Sequence, residues 1–146
     1  MDSIEKSFTV YLNFSVSHTY EYRGAKDRLD AYHQFMNQSF CKQEHPKVLS
    51  EYLIDLAKSK FVVSPRGNGL DCYRTWEALY MGAIPIVRSS GIDSLFENLP
   101  VLIVNEWEEV TEELLEEKYL EMEAKEFLWE KLHPEYWFHC INSYRS

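Results

Sequence analysis

A chain of 146 residues, 45% hydrophobic and 15% aromatic, buries one core but not two ordinary ones, and this apolar content excludes intrinsic disorder. A formal net charge of −9 argues against general nucleic-acid binding. The longest apolar runs, 83–87 and 99–104, are strand-sized and far short of the ~20 residues of a membrane span.

Residues 8–14, Phe-Thr-Val-Tyr-Leu-Asn-Phe, are β-branched and aromatic and predict a first strand. A polar loop over 15–24 follows, then a helix over 25–37 with Leu29, Tyr32, His33 and Met36 on one side. A short strand is expected over 40–45. Pro46 suits the first turn of the next helix, where its missing N–H is harmless. Val48, Leu49, Tyr52, Leu53, Leu56 and Ala57 then repeat as an amphipathic stripe. Residues 60–64 form a short apolar strand. Asp71 is expected to cap a helix running to Met81, with Gly82 where a C-terminal glycine belongs. Residues 83–87 read as a buried strand in which Pro85 predicts a bulge or an unpaired N–H position. A short helix over 92–98, a strand over 101–104 and a long acidic helix over 107–124 come next. Beyond Pro134 lies a last helical stretch, 135–143.

Apolar strands alternating with helices predict βαβ units, hence a Rossmann-like, doubly wound α/β domain with a largely parallel sheet buried on both faces. One domain is expected over 1–146, its C-terminal helices over 125–146 packing back on it. The first residues are polar and acidic, not basic then apolar, which predicts a soluble, cytoplasmic chain with no membrane partner.

The charge is uneven. Residues 106–126 hold ten Glu against two Lys, whereas 58–88 carry Lys58, Lys60, Arg66, Arg74 and Arg88 against Asp71 and Glu77. The acidity is expected on a solvated helix face with Trp107, Val110, Leu114 and Met122 turned inward. The locally basic region suits a small phosphorylated ligand.

In open parallel sheets, ligands bind beyond the carboxyl ends of the strands, which selects the loops 15–24, 64–70 and 88–91. Residues 64–71, Ser-Pro-Arg-Gly-Asn-Gly-Leu-Asp, join a strand to a helix start. Gly67 and Gly69 around Asn68 let the backbone approach an anion closely, and the free N–H groups at the helix start supply donors. Arg66 lies in the loop and Arg74 one turn inside the helix. A tight βα turn with a surface arginine has the same pattern. The loop lacks both the P-loop lysine and the third glycine of the dinucleotide fingerprint, which argues against a GTPase or an NAD enzyme.

Glu77 stands in the mostly apolar stretch Thr-Trp-Glu-Ala-Leu-Tyr-Met and needs a partner. Two are open: an i, i+3 pair with Arg74, or a pair of ribose hydroxyls. Cys41, Cys72 and Cys140 are too widely spaced for a disulfide framework or a Cys-x-x-Cys metal site. Cys72 reads as a packing residue rather than a nucleophile, and the five histidines form no metal cluster. Trp129, Tyr136, Trp137, Phe138 and Tyr144 crowd the tail, either packing on the sheet or covering a docking surface.

Residues 60–104 include Ser-Pro-Arg-Gly-Asn-Gly-Leu-Asp-Cys-Tyr-Arg-Thr-Trp-Glu-Ala-Leu and Met-Gly-Ala-Ile-Pro-Ile-Val. They resemble the donor-binding region of exostosin-like (GT47-type) glycosyltransferases. Tyr11-Leu-Asn-Phe-Ser, followed by Arg23, resembles the start of the same C-terminal domain. The resemblance implies the C-terminal half of a GT-B fold, which binds a nucleotide-sugar. It implies that Glu77 holds the ribose, and that Arg66 or Arg74 with the 67–69 backbone holds the diphosphate. Ser15 and Arg23 are secondary candidates for the same cleft, as is Arg88 from its strand-end loop. The family's acceptor-binding domain has no counterpart here, so a separate domain or a second copy is the expected partner, and a piece of a longer enzyme would sit in the Golgi lumen. No Asp-x-Asp motif occurs, which predicts donor binding without metal or cofactor. His18 is the local candidate for a general base. The other readings are a nucleotide-binding module without turnover and a protein-interaction scaffold.

Overall fold

Five strands, β1 (Phe8–Leu12), β2 (Cys41–Gln43), β3 (Ser59–Val63), β4 (Ile84–Arg88) and β5 (Leu102–Val104), form one sheet in the order β2-β1-β3-β4-β5. Every pairing is parallel. The computed structural model describes residues 5–14, 25–44, 47–66 and 73–125. The connections carry α1 (Ala25–Phe35), α2 (Leu49–Ala57), α3 (Tyr73–Tyr80) and α4 (Glu112–Glu123), with 3-10 turns at Asp93–Phe96 and Trp107–Glu109.

Strand side chains alternate between faces, and the core divides accordingly. Val10, Leu12, Phe61, Val63, Ile84 and Ile86 pack against Ala31 and Phe35 of α1, Trp107, and Leu115 of α4. Tyr11 and Val62 point the other way, onto Leu56 of α2 and Ala78 of α3. A third cluster joins Leu79, Val87, Phe96 and Leu99 on the α3 side. Helices therefore cover both faces, and the Rossmann-like, doubly wound expectation holds. The strand order places a switch point between β1 and β3, whose chains leave toward opposite faces.

Several local expectations shift. α1 buries Ala31 and Phe35, while Met36 is exposed; small Ala31 lets the helix sit close, and Phe35 meets the edge of Trp107 at 6.0 Å. α2 starts at Leu49, after an extended Val48, and Pro46 lies outside the described residues. Val48 and Leu49 are 64% and 62% exposed, and the buried stripe begins only near Tyr52 and Leu53, which pack on the second cluster. The bulge expected at Pro85 is absent: Phe61, Val62 and Val63 pair in unbroken register with Ile84, Pro85 and Ile86. The β5 ladder begins at Ile86, beyond the missing N–H.

The long acidic helix is two pieces. Val110 is extended and buried, and Thr111 restarts the helix, its side chain accepting the Leu114 N–H at 3.1 Å. The restart resets the helical phase, so Leu115, not Leu114, is the fully buried residue, with Tyr119 and Met122 packed beside it.

Gly82 ends α3 at φ 81°, a conformation that favours glycine. Lys6 donates its Nζ to the Ala57 and Gly82 carbonyls, both at 2.9 Å. These are orphan acceptors at the ends of α2 and α3, and burial lowers the Lys6 pKa. The expected C-terminal helices of 125–146 lie, from residue 126 onward, outside the described residues. Among the described residues, no helix is long and apolar enough to cross a membrane.

Candidate functional site at the carboxyl edge of the sheet

β3 runs into Ser64, whose N–H donates to the Ile86 carbonyl at 2.9 Å. The buried Ser64 hydroxyl shares a hydrogen bond of 2.8 Å with that of Thr75, in the first turn of α3. The strand end is thereby tied to the helix that follows it. Arg66 comes next, and its carbonyl accepts Arg28 Nε at 3.0 Å, linking this edge to α1. The predicted Gly67, Asn68, Gly69 and Asp71, together with Ser15, His18 and Arg23, lie outside the described residues.

The remaining candidates fall into two concavities on this edge. The larger, about 370 Å³, is walled by Lys26, Asp27 and Asp30 of α1 and by Ser64, Arg66, Arg88 and Ser90 at the ends of β3 and β4. Arg88 is held within its wall. One terminal nitrogen meets Asp27 Oδ1 at 2.9 Å, the other meets Glu106 at 3.3 Å, and Nε donates to the Asn105 carbonyl at 3.1 Å. The Trp107 indole N–H reaches the same Asp27 oxygen at 3.0 Å. The Asp27 hydrogen bond raises the Arg88 pKa further.

The smaller concavity, about 180 Å³, is lined by Asn13, Lys47, Tyr52, Arg74 and Glu77. Arg74 donates Nε to the Asn13 carbonyl at 3.0 Å and lies over the Phe14 ring at 5.8 Å. Its two terminal nitrogens have no partner among the described residues. Glu77 is half-buried and also lacks a side-chain partner among the described residues. The simple i, i+3 pair with Arg74 is therefore not formed. A guanidinium fork and a carboxylate share one wall, each with open hydrogen-bonding capacity. The structure thus brings Arg74 and Glu77 together and sets Arg66 and Arg88 in the other cavity.

Beside the smaller concavity runs a part-buried polar network that the sequence reading missed. The fully buried Tyr11 donates its hydroxyl to Asp55 Oδ2 at 2.7 Å and accepts Asn13 Nδ2 at 3.0 Å. Lys47 donates to the same Asp55 oxygen at 2.7 Å. Burial pushes the Asp55 carboxyl up, but the hydrogen bonds from Lys47 and Tyr11 outweigh it and leave the pKa below the usual value. Burial, with Asp55 alongside, drives the Tyr11 phenol well above its ordinary range. The signal was available: Asp55 interrupts the apolar run Tyr52-Leu53-Ile54-Asp55-Leu56, as Glu77 interrupts its own.

Burial raises the Cys41 thiol to about 12, so it stays protonated and unreactive at neutral pH. Among the described residues, no group of three or more His, Cys, Asp or Glu is placed to hold a metal ion.

Residues 7–139 match the family described as the RXYLT1 C-terminal domain. No curated protein matches the chain.

Proposed function

From the premise that the chain belongs to the RXYLT1 C-terminal domain family, an exostosin-like and glycosyltransferase-related family, we propose that it is the donor-binding domain of a glycosyltransferase. Its ligand is a nucleotide-sugar lying across the carboxyl edge of the sheet. The all-parallel α/β architecture is consistent with the C-terminal half of a GT-B enzyme. The observation that carries the reading is the open pair of Arg74 and Glu77 beside the β1–β3 switch point.

Glu77 accepts hydrogen bonds from the two ribose hydroxyls. Arg74, with N–H groups of the 67–71 connection, holds the diphosphate, and Arg66 approaches from the other cavity. Transfer joins an acceptor hydroxyl oxygen, which gives up its proton, to the anomeric carbon and breaks the bond between that carbon and the diphosphate oxygen, so negative charge grows on the departing group. A fixed guanidinium and N–H donors stabilise that charge more than that of the ground state. Each such charge-assisted bond contributes about 1.5–3 kcal/mol. The chemistry is metal-independent, and for an inverting transfer the general base comes from an acceptor-binding domain or partner chain.

Titration calorimetry with uridine and guanosine diphosphates and their sugars, in EDTA, tests the proposal. Binding is expected for one nucleotide series, weakened in both Arg74→Ala and Glu77→Ala. Absence of binding at millimolar ligand, or wild-type affinity in both variants, refutes it.

A further inference from the structure

Arg74 is held by more than its own helix. An arginine side chain has several free torsions, and fixing them carries an entropic cost. Here Nε is anchored on the Asn13 carbonyl at 3.0 Å and the guanidinium lies over Phe14. With that edge tied down, the two terminal nitrogens are the edge left for the concavity. The anchoring carbonyl lies one residue past the end of β1, in backbone that is itself fastened. The Asn13 side-chain amide folds back to the Tyr11 hydroxyl at 3.0 Å, and that hydroxyl donates to Asp55 at 2.7 Å. Lys47 donates to the same Asp55 oxygen at 2.7 Å. The hydrogen bonds therefore run from α2 through β1 to the arginine on α3.

We propose that Tyr11 and Asn13 are positioning residues that aim the Arg74 guanidinium at an incoming diphosphate. This rests on the donor-binding reading above and extends it to the buried Tyr11 and to Asn13 on the wall of the same concavity. Reduced local dielectric strengthens such a part-buried chain, and a missing link loosens what lies beyond it. Tyr11→Phe removes the hydroxyl while keeping the ring. Asn13→Ala removes the amide while leaving Tyr11 and Asp55 paired, so it serves if Tyr11→Phe folds poorly.

The test is exchange of the Arg74 Nε–H by NMR in the whole chain, assigned with Arg74→Lys. The Arg88 Nε–H, bound to the Asn105 carbonyl at 3.1 Å, is the internal control. Exchange at Arg74 is expected to quicken about tenfold in both variants, the scale of losing one net hydrogen bond, with Arg88 unchanged. Titration of uridine and guanosine diphosphates is expected to show Kd raised by about threefold to tenfold in both variants. The increase disappears when Arg74→Ala is already present. An unaltered Arg74 proton, an equal change at Arg88, or Kd effects that persist without Arg74 overturn the positioning role. A wild-type chain that binds neither diphosphate while its Arg74 proton stays protected overturns the donor-binding reading instead.

Discussion

Arg88 and Arg74 both stand at the carboxyl edge of the sheet, and both line a concavity. Arg88 is tied at every nitrogen position, to Asp27, Glu106 and the Asn105 carbonyl. Among the described residues, Arg74 is hydrogen-bonded only at Nε. The first arginine closes a wall; the second is gripped at its stem with its fork open. A strand-end arginine therefore indicates ligand binding only when its donors are not already satisfied by the chain itself.

The comparison is easiest to break at Arg88. Arg88→Ala leaves Asp27, whose side chain is 13% exposed, with only the Trp107 indole among the described residues. The expected loss is about 1–3 kcal/mol of stability, read as a lowered Tm, with ligand affinity unchanged in the folded fraction. Arg74→Ala is expected to do the opposite, weakening diphosphate binding about tenfold to a hundredfold with little change in Tm. If the two variants behave alike, the contrast fails. Glu77→Ala sharpens it: the loss, about tenfold, is expected for ribonucleotides and absent for the 2′,3′-dideoxy form, compared by calorimetry.

The contrast extends to pH. Asp55 has a folded pKa below its unfolded value of about 3.9. Its contribution is thus fully present above that value and lost as pH falls through the depressed one. Urea melts between pH 5 and 2 are expected to show stability falling over this window, with a flatter acid limb in Asp55→Asn. The smallest effect is at Thr111, where Thr111→Ala removes the cap of α4 for about 1 kcal/mol and leaves ligand binding untouched.

The strands were legible because a strand buried on both faces is an almost unbroken apolar run, as in Phe61-Val62-Val63. Glu77 was legible for the converse reason, a carboxylate among apolar neighbours. The state of each arginine was not, because Arg88 meets Asp27 across 61 residues and Arg74 meets Asn13 across 61. Such partners are chosen by tertiary register rather than local pattern. Sequence periodicity failed in α4 for a smaller reason: it carries no phase information across the break at Val110 and Thr111.

At the opposite rim of the sheet, Lys6 holds the Ala57 and Gly82 carbonyls together. A single amine thus acts as a rivet through two neighbouring helix ends. Acylating it would remove the cation and unfasten both ends in one step, far from the Arg74 and Glu77 edge. Stability of the domain could then be altered chemically without altering the surface that meets a ligand.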